Sequence, residues 1–241
     1  MVVGSIKHVI SRFTASMAGL VYDNQCPSCG LPGDSIALFP ICSRCMASVT
    51  GYRGPACLRC AKPFASRYSD TCGDCLSDTP AFDRALSYGL YEGVLMEAIH
   101  LMKFKGVRRL ASPLSAMISS LDLPGDADII MPVPMTRGGL IRRGFNQSAL
   151  VARALGKARG IPLRLDVLLK TRETPPQLGL SRRARLRNLR GAFRAEPGVR
   201  GLNVIVLDDV ITTGATMREC AKALKKEGAA GVTAISIART Y

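Results

Sequence analysis

Two adjacent carboxylates and a threonine-rich turn occur within one thirteen-residue stretch, residues 204–216, which reads V-I-V-L-D-D-V-I-T-T-G-A-T. Asp208 and Asp209 follow a short aliphatic run, and their oxygens can accept hydrogen bonds from vicinal hydroxyls or hold Mg²⁺. The turn opens a predicted helix, so its hydroxyls and free backbone N–H groups suit a phosphate. The turn residues are Thr212, Thr213, Gly214, Ala215 and Thr216. The stretch therefore predicts a site for a sugar that carries a phosphate.

Eight of the nine cysteines form four C-x-x-C pairs, which are separated by 12, 11 and 11 residues. Thiols stay reduced in a cytosolic chain, which favours metal ligation over disulfides or redox chemistry. Because a tetrahedral Zn²⁺ takes four thiolates, eight ligands predict two structural zinc sites. We pair the ligands sequentially, although spacing alone leaves a cross-braced arrangement open. The predicted ligand sets are Cys26, Cys29, Cys42 and Cys45 for one zinc and Cys57, Cys60, Cys72 and Cys75 for the other.

The turns that carry these ligands differ in one residue. Gly30 follows the second cysteine of the first pair, whereas Ala61 holds the same place in the third pair. Glycine tolerates the left-handed conformation of such a turn, so we expect a more strained backbone at Ala61. The ninth cysteine, Cys220, lies in a predicted helix and is interpreted as a small buried apolar side chain.

Positive charge is concentrated in the C-terminal part of the chain, since residues 81–241 carry +13 of the net +15. This excess favours anionic partners such as a phosphorylated sugar or nucleic acid, although a solvated basic surface gives the same count. The candidate nucleic-acid contacts are Lys103, Lys105, Arg182, Arg183 and Arg185. The sequence contains neither the run of about 18 apolar residues that a membrane span needs nor a signal peptide pattern. We therefore expect a cytoplasmic protein without a membrane span.

Strands and helices alternate from residue 82 onward. Strands are predicted at residues 85–91, 129–133, 163–169, 204–207 and 232–237, and helices at 92–104, 108–121, 146–159 and 217–227. Residues 135–143 are predicted to be a loop, and residues 170–200 a long arginine-rich connection. The alternation predicts an α/β fold with a mainly parallel sheet and helices on both faces.

Three segments are predicted along the chain. Residues 1–22 have apolar side chains at three- and four-residue steps, which indicates an amphipathic helix. That helix packs on its own protein or docks on a partner. Residues 23–80 form the metal module, which has few apolar residues and should need metal to fold. Residues 81–241 form the α/β domain.

Residues 204–216 resemble the phosphoribosyl pyrophosphate (PRPP) motif of type I phosphoribosyltransferases at every position. The resemblance extends to P-V-P at residues 132–134, R-G-F-N-Q at 143–147 and M-K-F-K-G at 102–106. With these segments and the cysteine pairs, the chain is similar to the ComF/GntX family over nearly its whole length. The remaining matching positions are Thr174, Gln177 and Leu180, R-N at 187–188, G-A-F at 191–193 and A-R at 238–239. One departure is Thr136, where many relatives have His.

The resemblance implies a type I phosphoribosyltransferase-like domain fused to an N-terminal double zinc ribbon. It also implies a role in natural competence, with single-stranded DNA and competence or helicase proteins as partners. Asp208 and Asp209 would be the catalytic acids that hold the ribose hydroxyls of PRPP, with residues 212–216 on its 5-phosphate. Mg²⁺ would accompany PRPP. Arg137, or Arg142 and Arg143, would face the pyrophosphate.

Two functions follow as alternatives. In the first, the protein binds PRPP and single-stranded DNA as a competence factor. In the second, it is an active phosphoribosyltransferase with an unidentified acceptor, in which positioning and neutralisation of the leaving pyrophosphate supply most of the catalysis. With no Trp and only 5% aromatic residues, the sequence shows no nucleobase pocket that would identify an acceptor.

Overall fold

The computed structural model describes residues 25–64, 69–175 and 181–241, and of Arg182 it describes only the backbone. The amphipathic helix predicted at residues 1–22 lies outside these ranges. The described helices are α1 (Ser43–Ala47), α2 (Gly73–Ser77), α3 (Gly93–Lys105), α4 (Ala111–Ser119), α5 (Arg137–Arg143), α6 (Gln147–Arg159), α7 (Arg182–Leu189) and α8 (Ala215–Lys226). The strands are β1 (Arg84–Leu90), β2 (Ile129–Pro132), β3 (Leu168–Lys170), β4 (Phe193–Ala195), β5 (Asn203–Ile211) and β6 (Gly231–Arg239). None of the described helices is long and apolar enough to cross a membrane.

The described chain forms two compact units. One contains residues 25–50 and 92–110, in which α1 packs against α3. The other contains the described residues of 51–91 and 111–241, and it includes the whole β-sheet. The first two cysteine pairs therefore belong to one unit, and the last two belong to the unit with the sheet.

The central sheet has the strand order β1-β6-β5-β2, and all of its neighbouring strands are parallel. Val204 of β5 lies opposite Ile129 of β2 on one side and Val232 of β6 on the other. Strands β3 and β4 form a separate antiparallel pair. The predicted mainly parallel sheet is confirmed.

Helices cover both faces of this sheet. On one face, Val204 and Val206 belong to the same buried cluster as Cys220 and other residues of α8. Side chains alternate along a strand, so the intervening Ile205 faces the opposite side, where α6 packs against β2 and β5. The approach of α6 is close, because a Cβ added at Gly156 would lie 3.1 Å from Ile130 Cγ2. Helix α4 packs beside α6.

Two segments that were predicted to be irregular contain regular structure. Residues 137–143 form α5, since the Thr136 hydroxyl accepts from the Gly139 N–H at 3.1 Å and caps the helix. Residues 170–200 contain α7 and β4. The strand predicted at residues 163–169 is only partly formed: Leu163 makes an isolated parallel bridge to Ile130, Leu168–Lys170 pairs with β4, and Leu165 between them is exposed to solvent.

Candidate functional site

Strand β5 extends farther than its neighbour β2, and its extension carries the acid pair. The ladder between them ends where Pro132 lies opposite Leu207, and the Val133 N–H then donates to the Leu207 carbonyl at 2.8 Å. Beyond this point the chain leaves β2 toward α5, whereas β5 continues to Ile211. Asp208 and Asp209 therefore lie at the carboxyl end of the parallel sheet, where ligands of α/β folds bind.

The two acids have different surroundings. Asp209 is only 4% exposed, and its Oδ2 accepts from Gln147 Nε2 at 2.9 Å while its Oδ1 accepts from the Val210 N–H at 2.8 Å. Asp208 is half-buried, and its Oδ1 accepts from Ser148 Oγ at 3.0 Å and from the Asp209 N–H at 2.9 Å. Asp209 is thus fixed from two sides, and Asp208 is the more accessible carboxylate.

The partners of the acid pair come from the start of α6. Asn146 caps this helix, since its side-chain oxygen accepts from the Ser148 N–H at 3.0 Å while its amide group donates to the Val133 carbonyl at 2.9 Å. Arg143 Nη1 donates to Gln147 Oε1 at 3.0 Å, so Arg143, Gln147 and Asp209 form a chain of hydrogen bonds. Sequence reasoning missed the role of Ser148 and gave Gln147 no contact, although Gln147 lies within the segment that resembles the family.

The predicted phosphate turn opens α8 as expected. Gly214 has a φ of +75°, a left-handed conformation that favours glycine, and it precedes the first residue of the helix. Thr213 Oγ1 accepts from the Ala215 N–H at 3.4 Å. A twelve-residue helix that begins here points its positive end at the turn, which suits an anion. Ala215 is buried and Thr216 is half-buried.

Arg185 lies at this turn, although the sequence placed it among the nucleic-acid contacts. Its Nη1 donates to Thr212 Oγ1 at 2.9 Å, and its side chain is half-buried. Arg183, on the same helix, is exposed. Lys103 and Lys105 lie on α3, in the other compact unit, half-buried and exposed respectively. The side chain of Arg182 is outside the described part of the chain.

A second group of polar residues borders the start of α5. The Thr136 hydroxyl donates to the Glu173 carboxylate, and Arg142 Nη2 lies 3.5 Å from Glu173 Oε2. The Thr136 hydrogen bond lowers the pKa of Glu173. Arg137 is the first residue of α5 and is exposed. Thr136 therefore supplies both a helix cap and a hydrogen bond to Glu173.

Lys170 is a cation near the acid pair that sequence reasoning missed. Burial lowers the pKa of its ammonium group, and the charges of Glu173 and Asp208 oppose that shift. Its Nζ donates to Thr174 Oγ1 at 3.0 Å and lies 5.9 Å from the centre of the Phe193 ring. A lysine at the end of a short strand in an arginine-rich segment gave no signal that would separate it from surface cations.

The cysteines form the two sequential four-ligand clusters. The first contains Cys26, Cys29, Cys42 and Cys45, and the second contains Cys57, Cys60, Cys72 and Cys75; within each, all four sulfur atoms lie within 4.8 Å of one another. Sγ–Sγ distances of 3.7 Å join Cys29 to Cys42 and Cys60 to Cys72. Zinc–sulfur bonds of about 2.3 Å in a tetrahedron place sulfurs about 3.8 Å apart, so both clusters fit Zn²⁺. The cross-braced pairing is excluded.

The pKa values of the thiols also fit a bound cation. Burial opposes ionisation of Cys26, but backbone N–H groups outweigh it and lower the pKa of this thiol to about 6. In the same way the pKa of Cys57 falls to about 7. Hydrogen bonds with Cys29 and Cys42 raise the pKa of Cys45 to about 12, because negative charge accumulates on the cluster. A divalent cation removes this obstacle to a fourth thiolate.

Ala61 and Cys220 behave as predicted. Ala61 has a φ of +56°, a left-handed conformation that is unfavourable for alanine, and Gly30 occupies the same region with a φ of +72°. Cys220 is fully buried, and burial raises the pKa of its thiol.

Both parts of this architecture match known protein families. Residues 104–240 match the phosphoribosyl transferase domain, and residues 17–76 match the double zinc ribbon domain. The DNA utilization protein YhgH of Salmonella typhimurium is 35% identical over 231 residues, covering 92% of this chain and 99% of that protein. Competence protein F of Haemophilus influenzae is 31% identical over 217 residues, covering 85% and 92%. The chain belongs to the ComF family.

More distant matches include another competence protein. Competence protein ComFC of Bacillus subtilis is 26% identical over 213 residues, covering 83% of this ComF-family chain and 84% of that protein. Among solved structures, glutamine phosphoribosylpyrophosphate amidotransferase from B. subtilis matches with a TM-score of 0.40 and 26% identity. That match covers 58% of this chain and 30% of the other.

Proposed function

We propose that this ComF-family protein binds PRPP together with Mg²⁺ and handles single-stranded DNA in natural competence, in the cytoplasm and with competence or helicase proteins as partners. The observation that supports PRPP as the ligand is the arrangement of groups at the end of β5. The accessible carboxylate of Asp208 and a helix N-terminus face the same edge of the sheet, and only Asp209 to Gly214 separate them in the chain. PRPP presents vicinal hydroxyls and a phosphate on one ribose, which match these two groups.

In this proposal, Asp208 accepts hydrogen bonds from the ribose hydroxyls. Asp209 is held by hydrogen bonds from Gln147 and from the Val210 N–H. It adds negative charge beside Asp208 and fixes the end of β5. Residues 212–216 hold the 5-phosphate through backbone N–H groups and hydroxyls. Arg185, already hydrogen-bonded to Thr212, adds a cation beside that phosphate.

The pyrophosphate of PRPP lies toward α5 in the same proposal. Arg137 at the start of α5 and Arg143 next to Gln147 are the cations on this side, and Lys170 adds a third. Bound Mg²⁺ supplies further positive charge against the pyrophosphate. The cations and the metal together neutralise the most anionic part of the ligand.

Handling of DNA is supported by the relatives and by charge. A DNA utilization protein and two competence proteins are similar to this chain over most of their length. The net charge of +15 suits a polyanion, and Lys105 and Arg183 are exposed cations available to phosphates. Arg185 is assigned to the PRPP site instead, because its guanidinium donates to Thr212.

Equilibrium dialysis with labelled PRPP in the presence and absence of Mg²⁺ tests the ligand. Saturable, Mg²⁺-dependent binding with one PRPP per chain is the expected result, and no retention of PRPP at millimolar concentration refutes the proposal. Release of pyrophosphate in the presence of candidate acceptors separates the two functions. Turnover establishes the active transferase, whereas binding without turnover supports the competence factor.

A further inference from the structure

The second cysteine cluster is part of the hydrophobic core of the sheet-containing unit. Its four cysteines are all buried, whereas Cys29 of the first cluster is exposed. They belong to one buried cluster with Val206 of β5 and Cys220 of α8. The zinc site that they form is thus enclosed by the same elements that carry the PRPP motif.

A buried arginine links this cluster to the phosphate turn. Arg218 of α8 is only 4% exposed, and its Nη2 lies 3.9 Å from Cys75 Sγ while its Nη1 donates to Asp78 Oδ2 at 3.0 Å. Its backbone N–H donates to the Gly214 carbonyl at 2.9 Å, in the first turn of α8. The side chain is therefore anchored at the cysteine cluster, and the backbone of the same residue is anchored at the turn.

A second buried arginine reaches the cluster from the strand next to β5. Arg239 is 3% exposed, lies at the end of β6 opposite Ile211 of β5, and places Nη2 3.6 Å from Cys60 Sγ. Neither its Nε nor its Nη1 has a hydrogen-bond partner among the described residues. A buried guanidinium without a compensating negative charge is costly, so Arg239 requires anionic sulfur at the cluster.

Bound zinc gives the cluster a negative charge that both guanidinium groups can meet, while Asp78 is a further anion beside Arg218. A Zn²⁺ ion with four thiolates carries a net charge of about −2, which favours guanidinium groups beside its sulfur atoms. Arg218 and Arg239 lie against different cysteines of the cluster, Cys75 and Cys60, so each donates to its own sulfur. Hydrogen bonds to ligating atoms of this kind orient a metal site and tune its affinity.

We propose that Arg218 and Arg239 are positioning residues that fix the phosphate turn and the end of the β5–β6 pair against the zinc-loaded second cluster. PRPP affinity then depends on zinc in the second cluster and is independent of the first. This inference rests on the proposed PRPP site. It assigns different tasks to two zinc sites that have the same ligands and nearly the same spacing.

The test uses the full chain with Cys42→Ser, which removes the first zinc site and leaves the second as the zinc source. In this background, Arg218→Gln should accelerate zinc release to a chromogenic chelator by about tenfold or more, because a donor to Cys75 is lost. It should weaken PRPP binding by a similar factor. Arg218→Lys, which keeps the charge, should recover a substantial part of both. The control Lys226→Gln, on the same helix but exposed at its far end, should change neither.

Zinc release and PRPP affinity of Arg218→Gln equal to those of its background would overturn the link. The link would also be overturned if Arg218→Lys released zinc as fast and bound PRPP as weakly as Arg218→Gln while the melting temperature of Arg218→Lys equalled that of the background. If Cys42→Ser itself abolishes PRPP binding, the independence from the first cluster is wrong. If the unmodified protein does not bind PRPP, the proposed function fails, and the zinc-release rates alone decide whether the arginines hold the second cluster.

Discussion

At the residue scale, the two acids at the end of β5 have different surroundings. Asp209 is buried and receives hydrogen bonds from Gln147 and from the Val210 backbone, whereas Asp208 is half-buried beside Ser148. A carboxylate that is enclosed by donors contributes to stability, and one that is accessible contributes to ligand binding. Substitution should therefore separate the two acids in the absence of PRPP.

Asp209→Asn should destabilise the ligand-free protein by about 1–3 kcal/mol, because an amide replaces a charged acceptor opposite Gln147 Nε2 inside the fold. Asp208→Asn should leave the stability within about 0.5 kcal/mol of the parent, as is usual for more accessible positions. Thermal unfolding of the zinc-loaded variants measures both. Equal losses, or a greater loss for Asp208→Asn, would contradict the assignment.

The left-handed backbone at Ala61 gives a second prediction. Alanine in this conformation costs about 1–2 kcal/mol, and glycine recovers this at a cost of about 0.4–1 kcal/mol in unfolded-state entropy. Ala61→Gly should therefore stabilise the zinc-loaded protein by up to about 1.5 kcal/mol in denaturant unfolding. Gly30→Ala, at the equivalent left-handed turn of the first cluster, is the matched reverse change and should destabilise. A destabilising Ala61→Gly would show that the methyl group makes contacts that outweigh the strain.

At the scale of elements, the strands around the site were predictable because their sequences are unambiguous. Residues 129–133 and 204–207 are aliphatic runs, and Pro132 and Pro134 mark the end of the first. The T-T-G-A-T turn places a glycine where a left-handed residue is required, so the start of α8 could also be predicted. These features depend on local sequence alone.

Helix α5 was missed for the opposite reason. It contains two glycines and no buried residue, so it shows no apolar periodicity, and only its Thr136 cap marks it. Thr136→Ala should lower stability by about 1 kcal/mol, within the range for lost helix caps. Thr136→Ser, which keeps the hydroxyl, should lose much less. Circular dichroism during thermal unfolding compares the two, and equal losses would indicate that the methyl group of Thr136 matters rather than the cap.

Contacts between elements distant in sequence could not be predicted. Gln147 meets Asp209 because a crossover helix returns beside β5, and Arg185 meets Thr212 across 27 residues. Arg218 was unremarked because arginine on a helix is usually a surface residue, whereas here it lies against a cysteine cluster 143 residues away. Sequence patterns indicate residue types and faces, while these pairings depend on tertiary packing.

At the scale of the whole molecule, two zinc ions per chain are expected from the two clusters. Inductively coupled plasma mass spectrometry of the purified protein should give close to two, and Cys42→Ser should give close to one while its PRPP affinity stays within about twofold of the parent. The physical reason is that the first cluster belongs to the compact unit without the sheet. One zinc in the unmodified protein, or none in the variant, would contradict the separate sites.

Binding of single-stranded DNA should be weak and strongly dependent on salt. Each phosphate contact contributes about −0.7 to the slope of log affinity against log salt. Lys105→Glu and Arg183→Glu should each flatten this slope, since both side chains are exposed cations. Lys226→Glu makes the same charge change at the end of α8 and serves as the control. Fluorescence anisotropy with an oligonucleotide measures the slopes. Equal changes of slope in all three variants would show that net charge alone, and not contacts of Lys105 and Arg183, determines the salt dependence.

Calorimetric titration of PRPP in Mg²⁺ tests the central claim most directly, with the parent protein compared with Asp208→Asn. The lost carboxylate removes charge-assisted hydrogen bonds to the ribose, so the variant should bind roughly tenfold to a hundredfold more weakly while retaining its zinc and its melting temperature. Thr213→Val should weaken binding less, because the backbone N–H groups of the turn remain. The absence of binding heat and of competition by the parent, or equal PRPP affinity in the parent and Asp208→Asn, would contradict a PRPP site at the end of β5.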